Sequence, residues 1–139
     1  MKLKFVYKVL PVLLIKAPWL VPNKFDAKCY GFFVAFKNNY NLADKGLIEH
    51  ELEHCKQSYR SPFVHPLLYK FNKEYRYKSE LDAFVKQIST YSKDEQVRLV
   101  SYFTDLLYKN YNISSYKNYF LIKTDLVQAL GLNTEWQIV

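Results

Sequence analysis

Three residues in segment 46–55 have types and a spacing that suit metal chemistry. His50, Glu51 and His54 form the pattern H-E-x-x-H. Histidines four residues apart project from the same face of a helix, so both imidazoles can bind one tetrahedral metal ion while Glu51 lies beside the open coordination position. This arrangement is typical of a zinc hydrolase, in which the metal activates a water and a glutamate accepts its proton during attack on a carbonyl.

The residues around this motif predict the elements that must hold it. Asp44 is a candidate N-cap for a helix from about residue 45 to residue 59, which Ser61 and Pro62 end. A β-branched and aromatic run at residues 29–36 predicts a strand before this helix, followed by a turn at residues 37–39. Apolar runs at residues 3–7 and 12–15 predict two further N-terminal strands.

The remainder of the chain is predicted to be helical. A second helix, at about residues 73–90, has an apolar stripe that comprises Tyr77, Leu81, Phe84, Val85 and Ile88. A capping box at Ser92 begins a helical C-terminal part, about residues 93–139, with a loop at residues 108–119 and a short helix near residues 125–130. Strands followed by helices predict an α+β fold, and 139 residues that are 50% hydrophobic suit one domain.

The motif, placed on a helix that follows a strand, resembles that of a zincin metallopeptidase over residues 31–88. The resemblance implies a small N-terminal sheet with an antiparallel edge, packed on the active-site helix and followed by further helices. It also implies that the edge strand just before the helix pairs with extended substrate. We therefore expect substrate contacts from the strand that contains Phe32, Phe33, Val34 and Ala35.

The resemblance further implies a third metal ligand. A metzincin needs Gly and His where this chain has Gln57 and Arg60, whereas a gluzincin takes a glutamate from the next helix. Glu80 lies 26 residues after the second histidine and, with Ala83, resembles the E-x-x-A motif of that type. The alternative is Glu74, which projects nearer the centre of the apolar stripe but lies at the helix start, where the helix dipole alone explains an acidic residue.

Other polar residues have less specific signals. Four tyrosines between the two motifs are candidates for stabilising a transition state, and the sequence does not choose among Tyr59, Tyr69, Tyr75 and Tyr77. Asp44 and Asp82 are candidates for orienting the second nitrogen of a histidine ligand, although we favour an N-cap for Asp44 and a solvated helix face for Asp82. His65, flanked by prolines, is interpreted as a loop histidine.

Composition excludes several other classes of protein. Two cysteines cannot form a disulfide framework or a cysteine-rich zinc module. The net charge of +7 comes mostly from scattered lysines, which we interpret as the codon bias of an AT-rich genome rather than as a specific nucleic-acid face. The most apolar stretch, residues 9–21, is interrupted by Pro11, Lys16 and Pro18, so no transmembrane segment is predicted. We expect a cytoplasmic or virion-associated protein rather than a secreted one.

Two hypotheses remain open at this point. The first is a minimal zinc metallopeptidase of the gluzincin type, with His50, His54 and Glu80 binding one Zn²⁺ per chain, Glu51 as general base, and a peptide or protein as substrate. The second is a non-catalytic structural or assembly protein, for example of a phage particle, that keeps a zincin-like fold and binds protein partners.

Overall fold

The computed structural model describes residues 1–132, so the end of the predicted C-terminal part, residues 133–139, lies outside the described residues. The chain forms an α+β structure, as predicted: a four-stranded mixed sheet packs against a long helix, and four further helices follow. The strands are β1 (Lys2–Val6), β2 (Leu10–Lys16), β3 (Ala27–Cys29) and β4 (Phe33–Phe36). The helices are α1 (Lys45–Arg60), α2 (Val64–Phe71), α3 (Lys73–Ile88), α4 (Lys93–Asn110) and α5 (Tyr119–Ala129).

The order of strands across the sheet differs from their order in the chain. The order is β1-β2-β4-β3, with β1 and β2 as an antiparallel hairpin, β2 parallel to β4, and β3 antiparallel to β4. The strand that precedes α1 was predicted to be an edge strand, and this was wrong, since β4 is paired on both sides. The chain returns after β3 to place β4 beside β2, which leaves β3 at the edge.

Helix α1 lies between the sheet and α3. Its buried residues Leu52 and Cys55 pack on the sheet core, whereas α3, α4 and α5 share a second apolar core. Gly46 marks the close approach of α1 to α3, because a Cβ at this position would lie 3.0 Å from the backbone oxygen of Gln87. Near the other end of α1, the side chain of Gln57 donates a hydrogen bond to the backbone oxygen of Ser79. Because the start of α1 contacts the end of α3 and the end of α1 contacts its middle, the two helices run antiparallel.

Two helices differ from the sequence-based prediction. Helix α2 occupies a proline-containing segment that was predicted to be a loop. Pro66 is the third residue of this helix, where the backbone N–H has no partner within the helix, so proline costs little there. Helix α5 begins at Tyr119, several residues earlier than predicted, and its N-cap Asn118 accepts a hydrogen bond from the backbone N–H of Leu121. It ends at Ala129, and Gly131 just beyond it adopts a φ of +67°.

Candidate metal centre

The two histidines of the motif lie one turn apart on the face of α1 that meets α3. Asp44 fixes the start of this helix, since its side chain accepts a hydrogen bond from the backbone N–H of Gly46. The spacing of four residues brings the Nε2 atoms of His50 and His54 to 3.2 Å from each other. His50 is buried and His54 is nearly so, and both line a cleft in the surface.

Glu80 completes this group from α3. Its Oε1 lies 3.2 Å from Nε2 of His54, and its Oε2 lies 3.4 Å from Nε2 of His50. One ligand atom from each of the three residues lies within 4.8 Å of the others, so the group could hold a metal ion. Glu80 is only 2% exposed. Glu74, the alternative from the sequence, instead forms a surface ion pair with Lys78 and lies outside the group.

The electrostatics of the group favour a cation. Burial alone would raise the pKa of Glu80, but the two histidines outweigh it and hold that pKa below its usual range. Burial would likewise lower the pKa of His54, yet the carboxylates of Glu80 and Glu51 raise it to about 10. Among the described residues, the buried Oε2 of Glu80 has no hydrogen-bond partner. Unpartnered buried polar atoms are costly, so the donor set fits a bound metal ion.

Gln57 orients His54. Its Oε1 lies 3.0 Å from Nδ1 of His54, and its Nε2 donates a hydrogen bond to the backbone oxygen of Ser79 on α3. Metal-binding histidines generally donate their second N–H to an acceptor of this kind. This role of Gln57 was not predicted from the sequence, although its position three residues after His54 places it on the same helix face.

The two aspartates that the sequence suggested for this role lie elsewhere. Asp44 caps α1 and accepts a second hydrogen bond from the hydroxyl of Tyr91. Asp82 is exposed on α3, and partial desolvation together with the carboxylate of Glu53 raises its pKa. Among the described residues, neither aspartate is a hydrogen-bond partner of His50 or His54.

The cleft that contains the triad has a volume of about 600 Å³. Glu51 lines it and is 6% exposed, so its carboxylate lies in the same cleft as the three candidate ligands. The remaining lining is mainly apolar and comes from β3 with its flanking residues, the end of α1, α2 with the segment before it, and the end of α4: Phe25, Ala27, Cys29, Tyr30, Gly31, Phe32, Tyr59, Pro62, Pro66, Tyr69 and Tyr111. Lys28 adds a cation to the lining.

Two tyrosines lie close to Glu80. The hydroxyl of Tyr69 donates a hydrogen bond to Oε1 of Glu80, and burial together with this carboxylate raises the pKa of Tyr69. Tyr111, at the end of α4, also lines the cleft, and its pKa is raised by burial and by Glu80. Tyr111 was not among the predicted candidates because it lies far from both motifs in the chain.

The other three candidate tyrosines have separate hydrogen-bond partners. The hydroxyl of Tyr59 donates to the backbone oxygen of Pro11, although its ring lines the cleft. Tyr75 contacts Nδ1 of His65 at 2.7 Å, and Tyr77 donates to Asp125. Of the predicted tyrosines, Tyr69 is therefore the one whose hydroxyl contacts the triad.

The four residues predicted to contact substrate do not all line the cleft. Phe32 is 60% exposed and lines the cleft, whereas Val34 and Ala35 are fully buried in β4. Because β4 is paired with both β2 and β3, its backbone has no free edge for a peptide. The edge strand that lines the cleft is β3.

Cys29 on β3 contacts Cys55 on α1. Both are free thiols, and their sulfur atoms lie 2.8 Å from each other. Cys55 follows His54 in the chain but packs with the sheet core.

Comparisons with known protein families, with curated proteins and with solved structures find no significant match to this chain. No helix among residues 1–132 is both long enough and apolar enough to cross a membrane.

Proposed function

We propose that the protein is a zinc-dependent metallopeptidase of the gluzincin type, which hydrolyses a peptide bond. The observation that carries this proposal is the meeting of His50, His54 and Glu80 in a cleft that also contains Glu51. Two imidazoles and one carboxylate are a ligand set of catalytic zinc sites, which leave a fourth position open.

A zinc ion held by these residues would polarise the substrate carbonyl and lower the pKa of a bound water to about 7. Glu51 is the general base: its carboxylate accepts a proton from the attacking water and delivers it to the leaving amine. Oε1 of Gln57 accepts a hydrogen bond from Nδ1–H of His54, so that Nε2 of the same ring keeps a free lone pair for the metal.

The free edge of β3 is the proposed binding site for an extended peptide. Within residues 1–132, β3 pairs with β4 alone, and Ala27, Lys28 and Cys29 all line the cleft. A peptide can add to such an edge through its backbone, with its side chains in the neighbouring pockets. The apolar lining that includes Phe32, Tyr59, Pro62 and Pro66 favours a peptide with hydrophobic side chains beside the scissile bond.

The proposal is tested by adding zinc to the purified protein and measuring cleavage of unfolded casein and of mixed fluorogenic peptides. We expect cleavage by the unaltered chain and loss of cleavage in Glu51→Gln with the metal retained, because this change removes the base and leaves the ligands. Glu49→Gln on the same helix is the matched control and should cleave normally. Equal cleavage by Glu51→Gln would overturn the mechanism.

The same experiment separates the peptidase from the alternative of a structural or assembly protein. A zinc-loaded chain that cleaves nothing and self-associates would support the non-catalytic alternative. A monomeric chain that cleaves peptides would exclude it.

A further inference from the structure

The outward face of α2 is apolar and exposed. It comprises Phe63, Val64, Leu67 and Phe71, of which Phe63 is 87% exposed and Phe71 is 74% exposed. At 100° per residue these four positions fall within about 100° of the helix circumference, so they form one stripe. We call this stripe the α2 face. Large apolar side chains exposed side by side are uncommon on a protein that binds nothing there.

The α2 face borders the cleft. The opposite side of the same short helix carries His65, which is buried, and Tyr69, and both line the cleft. Pro62 and Pro66 are exposed and line the cleft as well, so they join the α2 face to its opening. Phe32, from the turn after β3, adds an exposed aromatic side chain to the same cleft lining.

The charge around the α2 face is positive. Residues 54–73 contain no Asp or Glu, but contain Lys56, Arg60, Lys70 and Lys73. Lys56 and Arg60 pair with Glu53, whereas within residues 1–132 Lys70 and Lys73 form no ion pair. The two halves of the chain also differ in charge. Residues 1–71 contain eleven Lys and Arg and five Asp and Glu, whereas residues 72–139 contain nine Lys and Arg and eight Asp and Glu. The net charge of +7 therefore belongs almost entirely to the half of the chain that contains the sheet, α1 and α2.

Lysines also lie directly beside the exposed aromatic rings. Nζ of Lys70 lies 5.3 Å from the ring centroid of Phe71, and Nζ of Lys28 lies 5.6 Å from that of Tyr30 at the cleft wall. Within residues 1–132, neither lysine forms an ion pair. Exposed aromatic side chains with cations beside them suit the interface of an anionic bilayer, where rings lie at the headgroup level and lysines are attracted to lipid phosphates.

We infer that the α2 face docks on an anionic lipid bilayer, with its apolar side chains at the level of the headgroups and Lys70 and Lys28 beside lipid phosphates. A fluid surface needs no matching pocket, which suits side chains as exposed as Phe63 and Phe71. Docking would hold the cleft opening close to the membrane surface. The inference does not depend on peptide hydrolysis or on bound metal.

The test is co-sedimentation of the whole protein with vesicles of phosphatidylcholine alone and of phosphatidylcholine mixed with phosphatidylglycerol. We expect binding to the mixed vesicles that weakens with added salt. The double substitution Phe63→Ser with Leu67→Ser should lower the partition coefficient at least about tenfold. The matched control is Phe120→Ser with Leu121→Ser, which removes two exposed apolar side chains from α5 and should bind as the unaltered chain does.

Three results would overturn the inference. They are an absence of binding to the mixed vesicles, unchanged binding by the α2 double variant, and equal loss of binding in both double variants. Light scattering in the absence of lipid tests whether a second copy of this chain covers the α2 face instead. A dimer that the Phe63 and Leu67 substitutions dissociate, without vesicle binding, would assign the α2 face to a second copy of this chain instead.

Discussion

The side chain of Gln57 connects the two helices that carry the candidate metal ligands. Its Oε1 lies 3.0 Å from Nδ1 of His54 and accepts a hydrogen bond from Oγ of Ser79, while its Nε2 donates to the backbone oxygen of Ser79. Ser79 immediately precedes Glu80. One buried amide therefore fixes the ring of a histidine on α1 and the backbone beside the glutamate on α3.

Substitution of Gln57 should weaken metal binding. Gln57→Leu should lower zinc affinity about 10- to 100-fold, because the ring of His54 loses the acceptor that orients it. It should also cost about 1–3 kcal/mol of stability, since the polar atoms of Ser79 lose their partner. Competition with a chelating dye measures the affinity, and urea unfolding measures the stability.

Gln57→Glu separates orientation of His54 from packing. This variant keeps an acceptor for Nδ1 of His54 but cannot donate to the oxygen of Ser79. We expect it to retain more zinc affinity than Gln57→Leu. Identical affinity in the unaltered chain and in Gln57→Leu would show that this contact does not orient a ligand.

The two glutamates of α3 should behave differently when each is replaced by glutamine. Glu80→Gln should lower zinc affinity by far more than Glu74→Gln, because Glu80 is buried against both histidines and Glu74 pairs with Lys78 at the surface. The two changes remove the same charge from the same helix, so each is the control for the other. A larger loss in Glu74→Gln would exclude Glu80 as the third ligand.

Tyr69 is the tyrosine whose hydroxyl we expect to matter for hydrolysis. Tyr69→Phe should lower kcat on the order of 100-fold with little change in KM, as expected for loss of a donor that stabilises developing charge. Tyr75→Phe removes a hydroxyl that contacts His65 and should cleave nearly normally. Steady-state kinetics on one peptide compare the two variants. A lower kcat in Tyr75→Phe but not in Tyr69→Phe would exclude Tyr69 from this role.

The N-cap of the active-site helix gives a prediction about stability alone. Asp44→Ala should destabilise the fold by about 1 kcal/mol, because the N–H of Gly46 and the hydroxyl of Tyr91 both lose their acceptor. Tyr91→Phe leaves the cap intact and should cost less. Urea unfolding of the two variants checks this order, and the reverse order would mean that the hydroxyl contact dominates.

Local features of the sequence predicted the parts of the site that depend on a single helix. The spacing of His50 and His54 fixes their common face, and Asp44 and Ser61 flank α1 as expected. The apolar stripe of α3 placed Glu80 at its edge, and two arguments favoured it over Glu74: the resemblance to gluzincins, and the position of Glu74 at the helix start, where the helix dipole explains it.

Features that depend on contacts between distant segments could not be predicted. The role of Gln57 depends on the packing of α3 against α1. The position of Tyr111 in the cleft depends on where the end of α4 lies. The interior position of β4 follows from a crossover through β3, which chain order does not reveal. Helix α2 was missed because prolines favour a loop, although the first turn of a helix tolerates them.

Metal content tests the central claim most directly. Elemental analysis should be made on protein purified without a histidine tag or chelator, on Glu51→Gln, and on His54→Ala. We predict about one zinc per chain in the unaltered protein and in Glu51→Gln, and almost none in His54→Ala. A well-folded protein without zinc, or with zinc that His54→Ala retains, would contradict the assignment of His50, His54 and Glu80 as a metal centre.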